Sequence, residues 1–120
     1  MRVAVLALLF VGCGGSHGNG GGPDMAPSCP HDLPMQCPTP APTWDGGVMA
    51  IINDKCTTCH RAGGLSASWP MTSYADVSRL KQAVIDQVYS CFMPPPDAGQ
   101  LDESQRQALL GWIVCGALEN

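Results

Sequence analysis

The chain has 120 residues, a formal net charge of −4 and seven cysteines. This length suits one small domain, and the negative charge argues against a nucleic-acid-binding role. The sequence also lacks a Ser-His-Asp set, paired catalytic carboxylates and a phosphate-binding loop, so it does not indicate the common hydrolase or nucleotide-dependent enzyme classes.

The start of the chain has the features of a bacterial export signal. Arg2 precedes an apolar run over residues 3–11 that is too short to span a bilayer. The run ends in Phe-Val-Gly-Cys at residues 10–13, which resembles the lipobox of bacterial lipoproteins, with phenylalanine in place of the usual leucine. We therefore predict a signal peptide over residues 1–12 and lipid attachment at Cys13. Ordinary signal cleavage, with Cys13 left as a thiol, is the open alternative.

These features predict an exported, lipid-anchored protein that faces the periplasm. Gly14 follows Cys13 at the position where an aspartate directs familiar lipoproteins to the inner membrane. The outer membrane is therefore favoured.

Residues 13–43 are predicted to be a disordered, Gly/Pro-rich linker. Residues 14–24 are mainly glycine, and the prolines that follow favour a stiffer, extended chain. His17 and His31 fall in this linker and are interpreted as solvated residues rather than metal ligands.

The compact domain is predicted over residues 44–120 and should be all-α. A first helix is expected to start near Asp45, which can act as its N-cap. Val48, Ile51 and Ile52 follow at helical spacing and form one apolar stripe.

This helix runs into Cys56-Thr57-Thr58-Cys59-His60, a Cys-x-x-Cys-His pattern that is the attachment signature of c-type haem. Two thiols on one helical turn can each bond a vinyl group of the same porphyrin, and the imidazole of the next residue can then bind the iron. A zinc site would need a second pair of ligands at close spacing. A thiol–disulfide redox site would follow a strand, and no strand pattern precedes Cys56.

Residues 61–72 are predicted to be a loop in which Leu65, Trp69 and Met71 cover the haem. A second, amphipathic helix should begin at Thr72 or Ser73 and continue to Val88.

The second axial ligand is predicted to be Met93. It lies in Cys-Phe-Met-Pro-Pro-Pro, residues 91–96, where the prolines make a rigid non-helical loop. A methionine that is already positioned suits the weak thioether–iron bond, and such ligation raises the reduction potential. Met71 is the competing ligand, and the alternative role for Met93 is that of a core side chain.

The last helix is marked by Asp102 as N-cap and Gln105 as the reciprocal member of a capping box. Leu109, Trp112 and Ile113 should form its buried face. Gly116 should end it.

The helix that enters residues 56–60, the Met-Pro-Pro loop at 93–95 and the capped terminal helix together resemble a small class I cytochrome c, in particular the single-haem domains of exported bacterial lipoproteins. The resemblance covers about residues 44–120. It implies an all-α, cytochrome c-like domain around one covalent haem c.

The resemblance also implies specific residue roles. His60 would be the proximal ligand and Met93 the distal one. Trp112 of the last helix would pack on Val48, Ile51 or Ile52 of the first. Arg61, Arg79 and Lys81 are candidates for contacts with the haem propionates.

The chain has seven cysteines, and an odd number leaves one without a disulfide partner, which is unusual for an exported protein. The count becomes even if Cys13 carries lipid and if Cys56 and Cys59 form thioethers. The remaining four are then expected to form the disulfides Cys29–Cys37 and Cys91–Cys115.

The predicted function is one-electron transfer, because a haem held by both histidine and methionine has no open position for a substrate. The acidic charge predicts a redox protein partner with a basic docking patch. A haem enzyme or gas sensor with an open or labile sixth position is the alternative. A third possibility is a structural lipoprotein in which Cys56 and Cys59 are oxidised to each other.

Overall fold

The computed structural model describes residues 29–120, so the predicted signal peptide, the lipid site Cys13 and His17 lie outside the described residues. This part of the chain contains four α-helices and no strand, in agreement with the predicted all-α content. The helices are α1, Met49–Lys55; α2, Tyr74–Arg79; α3, Lys81–Tyr89; and α4, Glu103–Val114. A π-helical turn, Trp44–Val48, precedes α1, and a 3-10 turn, Pro96–Ala98, precedes α4.

The first helical segment begins with a different cap from the predicted one. Thr43, not Asp45, takes this role, because its hydroxyl accepts a hydrogen bond from the Gly46 amide at 3.0 Å. Gly47 has a φ angle of 134°, which an L side chain rarely adopts, and it forms a kink within the segment Trp44–Val48 just before α1.

The predicted second helix is divided in two. Ser73 caps α2 by accepting a hydrogen bond from the Asp76 amide at 3.2 Å, as predicted for Thr72 or Ser73. Leu80 then leaves the helical region, with φ −92° and ψ 3°, and α3 starts at the next residue. The buried side chains of Val77, Val84 and Val88 still belong to one core, because the break at Leu80 does not interrupt the apolar stripe.

The terminal helix α4 agrees with its predicted limits. The Gln105 amide donates to the Asp102 carboxylate at 2.8 Å, and the Asp102 amide donates to the Gln105 side chain at 3.1 Å, so both halves of the capping box are formed. Gly116 lies just beyond the helix with a φ angle of 90°, as expected for a helix-ending glycine.

Three aromatic side chains join α4 to the earlier helices. The rings of Trp112 and Trp44 lie 5.9 Å apart, and Tyr74 packs 6.4 Å from Trp112. Trp112 belongs to the same buried cluster as Val48 and Ile52, so the last helix packs on the first segment as expected, although its ring partner is Trp44.

The C-terminal residues after α4 accept hydrogen bonds from the polar groups of this aromatic cluster. The carbonyl of Leu118 accepts hydrogen bonds from the Trp112 indole at 2.7 Å and from the Trp44 amide at 2.9 Å. The Tyr74 hydroxyl donates to the Ala117 carbonyl at 2.9 Å. The buried polar atoms of the aromatic residues therefore have partners.

Residues 29–43, here called the strap, are joined to the helices by two disulfides. Cys29 is bonded to Cys91, and Cys37 is bonded to Cys115. All four cysteines are oxidised as predicted, but the predicted pairs Cys29–Cys37 and Cys91–Cys115 are wrong. The strap runs alongside α4, and this course brings each of its cysteines next to a distant partner, with Cα atoms 5.9 Å and 4.7 Å apart.

The strap also makes non-covalent contacts with the helices. A Cβ atom added at Gly111 of α4 would lie 3.0 Å from Pro38 and 3.4 Å from Pro42, so these two prolines pack directly on the helix backbone. Asp32 binds the buried Arg106 of α4. His31, predicted to be a solvated linker residue, lies 3.2 Å from the Tyr89 hydroxyl.

The predicted fold class is therefore wrong as a whole. Its all-α content agrees with residues 29–120, but the chain is not a cytochrome c-like helical domain behind a disordered tether. The folded unit includes residues 29–43, because two disulfides and a buried ion pair hold them to the helices. The helical packing shows an all-α, disulfide-bonded unit and does not itself show haem binding.

None of the helices within residues 29–120 combines the length and the apolar character that a membrane-crossing segment needs.

Candidate cofactor cavity

A cavity of about 550 Å³ lies between the Cys-x-x-Cys-His segment, α3 and the loop after α3. This volume falls within the usual range for a bound small molecule or cofactor. Its lining is mainly apolar. The lining residues are Lys55, Cys56, Cys59, His60, Leu65, Ser66, Trp69, Met71, Leu80, Ala83, Val84, Gln87, Val88, Met93, Pro94, Pro95, Ala98, Leu101 and Leu109.

The end of α1 brings the Cys-x-x-Cys-His side chains to this cavity. Cys56 is the C-cap of α1 and donates its amide to the Ile52 carbonyl at 2.9 Å. The His60 amide then donates to the Cys56 carbonyl at 3.0 Å, which continues a helical turn through the motif. Cys56, Cys59 and His60 consequently line the same cavity.

The two cysteines of this motif carry free thiols, whereas the other four cysteines of residues 29–120 are in disulfides. Burial raises the pKa of the Cys56 thiol to about 11. A reactive Cys-x-x-Cys in a thiol–disulfide enzyme has a lowered pKa instead. The environment of Cys56 therefore does not favour thiol–disulfide chemistry.

The imidazole of His60 is oriented by a backbone carbonyl. Its Nδ1 lies 2.8 Å from the carbonyl oxygen of Trp69. A carbonyl oxygen can only accept, so in the neutral imidazole Nδ1 carries the proton and Nε2 keeps its lone pair. Metal-binding histidines are held in this way, with the second ring nitrogen bonded to a backbone carbonyl or carboxylate.

The loop after His60 folds back on the motif. The Met71 amide donates to the His60 carbonyl at 2.8 Å, and the Ser66 amide donates to the Cys59 carbonyl at 2.9 Å. The Thr57 hydroxyl donates to the Met71 carbonyl at 3.0 Å. These bonds place the three predicted covering residues on the cavity lining, namely Leu65, Trp69 and Met71.

Met93 reaches the cavity from a different part of the chain. Its amide donates to the Gln87 carbonyl at 3.0 Å, and the Gln100 side chain donates to the Pro94 carbonyl at 2.6 Å. The loop is thus fixed on both sides of Met93, whose side chain is half-buried.

Met71 has a different environment. Its backbone is bonded to that of His60, and its side chain, 6% exposed, belongs to the hydrophobic core. Packing in the core explains the buried position of Met71. Met93, by contrast, lies on a separate loop that is held by its own hydrogen bonds and is not part of the His60 segment.

Charge at the cavity is sparse. Lys55, which forms an ion pair with Asp54 at 3.3 Å, is the one lysine or arginine of the lining. Arg61, Arg79 and Lys81, the candidates for propionate contacts, do not line it.

Within residues 29–120, no group of three or more His, Cys, Asp or Glu side chains is placed to hold a metal ion directly. An iron ion bound here would thus need a porphyrin to supply most of its ligands. The donors fit that group: two free thiols can form thioethers, His60 offers Nε2, Met93 offers a thioether sulfur, and the lining is apolar.

Three supporting roles were not predicted from the sequence, although Trp69 itself was expected to cover the haem. The Trp69 carbonyl orients His60, Gln100 holds the Met-Pro-Pro loop, and Arg106 joins that region to the strap. A signal was present only for Arg106, because it lies one turn before Leu109 and Leu110 on the apolar side of a helix, where an arginine needs an acidic partner.

Comparison of the chain with family models, with curated proteins and with solved structures gives no match in any of the three.

Proposed function

We propose that this protein is a one-electron carrier with one covalently bound c-type haem, held by thioether bonds to Cys56 and Cys59 and by His60 and Met93 as axial ligands. The haem would supply an iron that alternates between the ferrous and ferric states.

One observation carries this proposal. In a chain whose other described cysteines are in disulfides, Cys56 and Cys59 are unpaired and share a cavity of about 550 Å³ with His60 and Met93. A structural pair of cysteines would instead be bonded to each other, and a zinc site would need further close ligands.

Three residues of the chain would support the two axial ligands. The Trp69 carbonyl keeps the proton of His60 on Nδ1, which leaves Nε2 for the iron. Gln87 and Gln100 hold the loop of Met93, so that a weak thioether ligand needs little ordering when it binds. Two protein ligands leave no open position, which favours electron transfer over catalysis on a substrate.

The cellular setting is part of the same proposal. Disulfides persist in oxidising compartments, which supports an exported protein. We place it on the periplasmic side of a bacterial membrane, held by lipid on Cys13, with the outer membrane favoured. Its net charge of −4 would suit a redox protein partner with a basic docking patch.

The test is expression of the full chain in cells that mature c-type haem. The mature protein should stain for haem on a denaturing gel, and the tryptic peptide 56–61 should carry the tetrapyrrole. Cys56→Ala/Cys59→Ala should abolish the stain. Cys37→Ala/Cys115→Ala is the matched control, because it also removes two cysteines but neither lines the cavity, and it should keep the stain.

The optical spectrum separates the carrier from a haem enzyme or sensor. We expect the reduced protein to be low-spin and unaffected by carbon monoxide, because Met93 occupies the sixth position. A five-coordinate spectrum would contradict the carrier role while leaving haem attachment intact. An unstained wild-type band would contradict the whole proposal.

A further inference from the structure

Met93 is connected to the strap through a short and constrained piece of chain. It lies two residues after Cys91, which is disulfide-bonded to Cys29 of the strap. Cys91 has a φ angle of 63°, in the left-handed region that non-glycine residues rarely adopt. Such a conformation persists only where the surrounding contacts hold it, so the contacts around Cys91 decide the path of the chain into Met93.

Arg106 of α4 supplies several of those contacts, beside the disulfide and the bond from the Cys91 amide to the Val88 carbonyl. Its side chain is buried, with the residue only 7% exposed, and its guanidinium donates to the carbonyls of Val88 and Tyr89 at the end of α3. The Tyr89 bond is 3.0 Å long, and one guanidinium nitrogen lies 3.7 Å from the sulfur of Cys91. Arg106 therefore fixes the residues immediately before the Met93 loop.

The other side of the same guanidinium binds the strap. Arg106 donates to the two carboxylate oxygens of Asp32 at 2.8 Å and 2.9 Å, and Gln107 adds a bond of 2.9 Å. This forked geometry fixes the plane of the guanidinium, which a lysine ammonium cannot reproduce. The strap, α3 and α4 thus meet at one buried arginine.

We propose that Arg106 is a positioning residue for Met93: it holds the end of α3 and the Cys29–Cys91 disulfide so that the Met93 sulfur faces the iron. This inference rests on the proposed function. A purely structural ion pair would lower stability when broken but would leave the iron ligands unchanged, and this difference makes the two roles separable.

The test uses the full, haem-containing chain with Arg106→Gln and with Glu119→Gln as the control, since Glu119 is exposed, does not line the cavity and also loses one charge. We expect R106Q to stain for haem like the wild type. It should lose the weak red absorption band of the oxidised methionine–iron bond, show a lower reduction potential and bind carbon monoxide when reduced. E119Q should match the wild type in all three measurements, and Arg106→Lys should keep only part of the methionine band.

An R106Q protein with the wild-type band and potential would overturn the inference, even if its denaturation midpoint falls. Where R106Q gives no folded holoprotein, Asp32→Asn takes its place, because it keeps the shape of the pair and removes one charge. Partial loss of the methionine band in D32N supports the inference, and an unchanged band overturns it. A wild-type chain that never stains for haem would instead overturn the proposed function, and the role of Arg106 with it.

Discussion

The side chain of Asp32 has an environment unlike that of an exposed carboxylate. Hydrogen bonds from Arg106 are the main reason that its pKa is lowered from the ordinary value of 3.8, and Gln107 contributes in the same direction. Because the folded state favours the deprotonated form, folding is coupled to loss of this proton. The stabilisation is present above pH 3.8 and is lost as the pH falls through the lower folded-state pKa.

Asp32→Asn should therefore destabilise the protein at neutral pH. We expect a loss of about 2 kcal/mol in the free energy of unfolding, because the buried arginine loses its carboxylate partner and keeps only neutral hydrogen bonds at this position. Urea denaturation at pH 7 and near pH 3 measures it, and the difference from the wild type should shrink at the lower pH. Asp97→Asn, at an exposed position, should behave like the wild type at both values. A D32N deficit that does not depend on pH would contradict this explanation.

His60 shows what a single residue can and cannot reveal from sequence. Its position after Cys-x-x-Cys predicts an axial ligand, because the motif itself sets the spacing. The Nδ1 atom of the same ring is bonded to the carbonyl oxygen of Trp69, which comes nine residues later in the chain. The motif does not specify this partner. Local spacing does not determine which carbonyl will face the ring.

Helix α4 packs against both the strap and the hydrophobic core. Gly111 is the contact point of the strap prolines Pro38 and Pro42. Those prolines have little freedom to move, since Pro38 follows Cys37, whose disulfide partner Cys115 lies one turn after Gly111. The glycine is needed here for close approach rather than for an unusual backbone angle.

Gly111→Val should therefore be destabilising, although glycine is a poor residue for a helix interior. We expect a loss of about 1–3 kcal/mol in the free energy of unfolding, because the added atoms overpack a site whose neighbours are fixed. Chemical denaturation of the oxidised protein measures it. The pair Ala75→Gly and Ala75→Val in α2, at an exposed position, gives the intrinsic difference between glycine and valine in a helix. A change in stability for G111V that equals this intrinsic difference would show that the strap prolines do not crowd α4.

The split between α2 and α3 was not predicted, and the reason is physical. An apolar stripe at a spacing of three and four residues continues through a change of direction if both parts face the same core. Leu80 remains buried at the break, so the hydrophobic pattern gives no sign of it. The Ser73 cap and the Asp102 capping box were predicted correctly because their hydrogen bonds join residues three apart, whereas the cap expected at Asp45 was wrong.

At the scale of the whole molecule, the two disulfides define the closed unit. Their sequence separations are 62 and 78 residues, far longer than the local pairs expected from spacing. In the chain-entropy model each such loop contributes about 4 kcal/mol, and the overlap of the two loops reduces their sum. A helical unit of this size gains much of its stability from such cross-links.

The disulfide pairing can be checked by digestion of the denatured, unreduced protein after its free thiols are blocked. Trypsin leaves Cys29 and Cys37 in one peptide, Cys91 in 82–106 and Cys115 in 107–120. The observed pairs predict one species in which all three peptides are joined. Cleavage before Asp32 should then separate Cys29–Cys91 from Cys37–Cys115. A species containing only the peptides of Cys91 and Cys115 would contradict the structure.

Removal of one disulfide should also change stability. Cys37→Ala/Cys115→Ala should lower the free energy of unfolding by about 3 kcal/mol, somewhat less than the loop-entropy value because the other disulfide still constrains the chain. The thermal midpoint of the oxidised variant against that of the wild type measures this loss. An unchanged midpoint would contradict the stabilising contribution assigned to the Cys37–Cys115 disulfide.

The sequence by itself determined the features that depend on neighbours along the chain. These are the spacing of apolar residues by three and four positions in the helices, the Asp102 capping box and the Cys-x-x-Cys-His motif at the end of α1. These features rest on hydrogen bonds and spacings within about one helical turn. Only the tertiary structure decided that residues 29–43 are folded, that Cys29 and Cys37 bond to Cys91 and Cys115, and that Arg106 meets Asp32. Those contacts join residues more than 60 positions apart, and a local pattern carries no information about which of several chemically equivalent partners the folded chain will bring within reach.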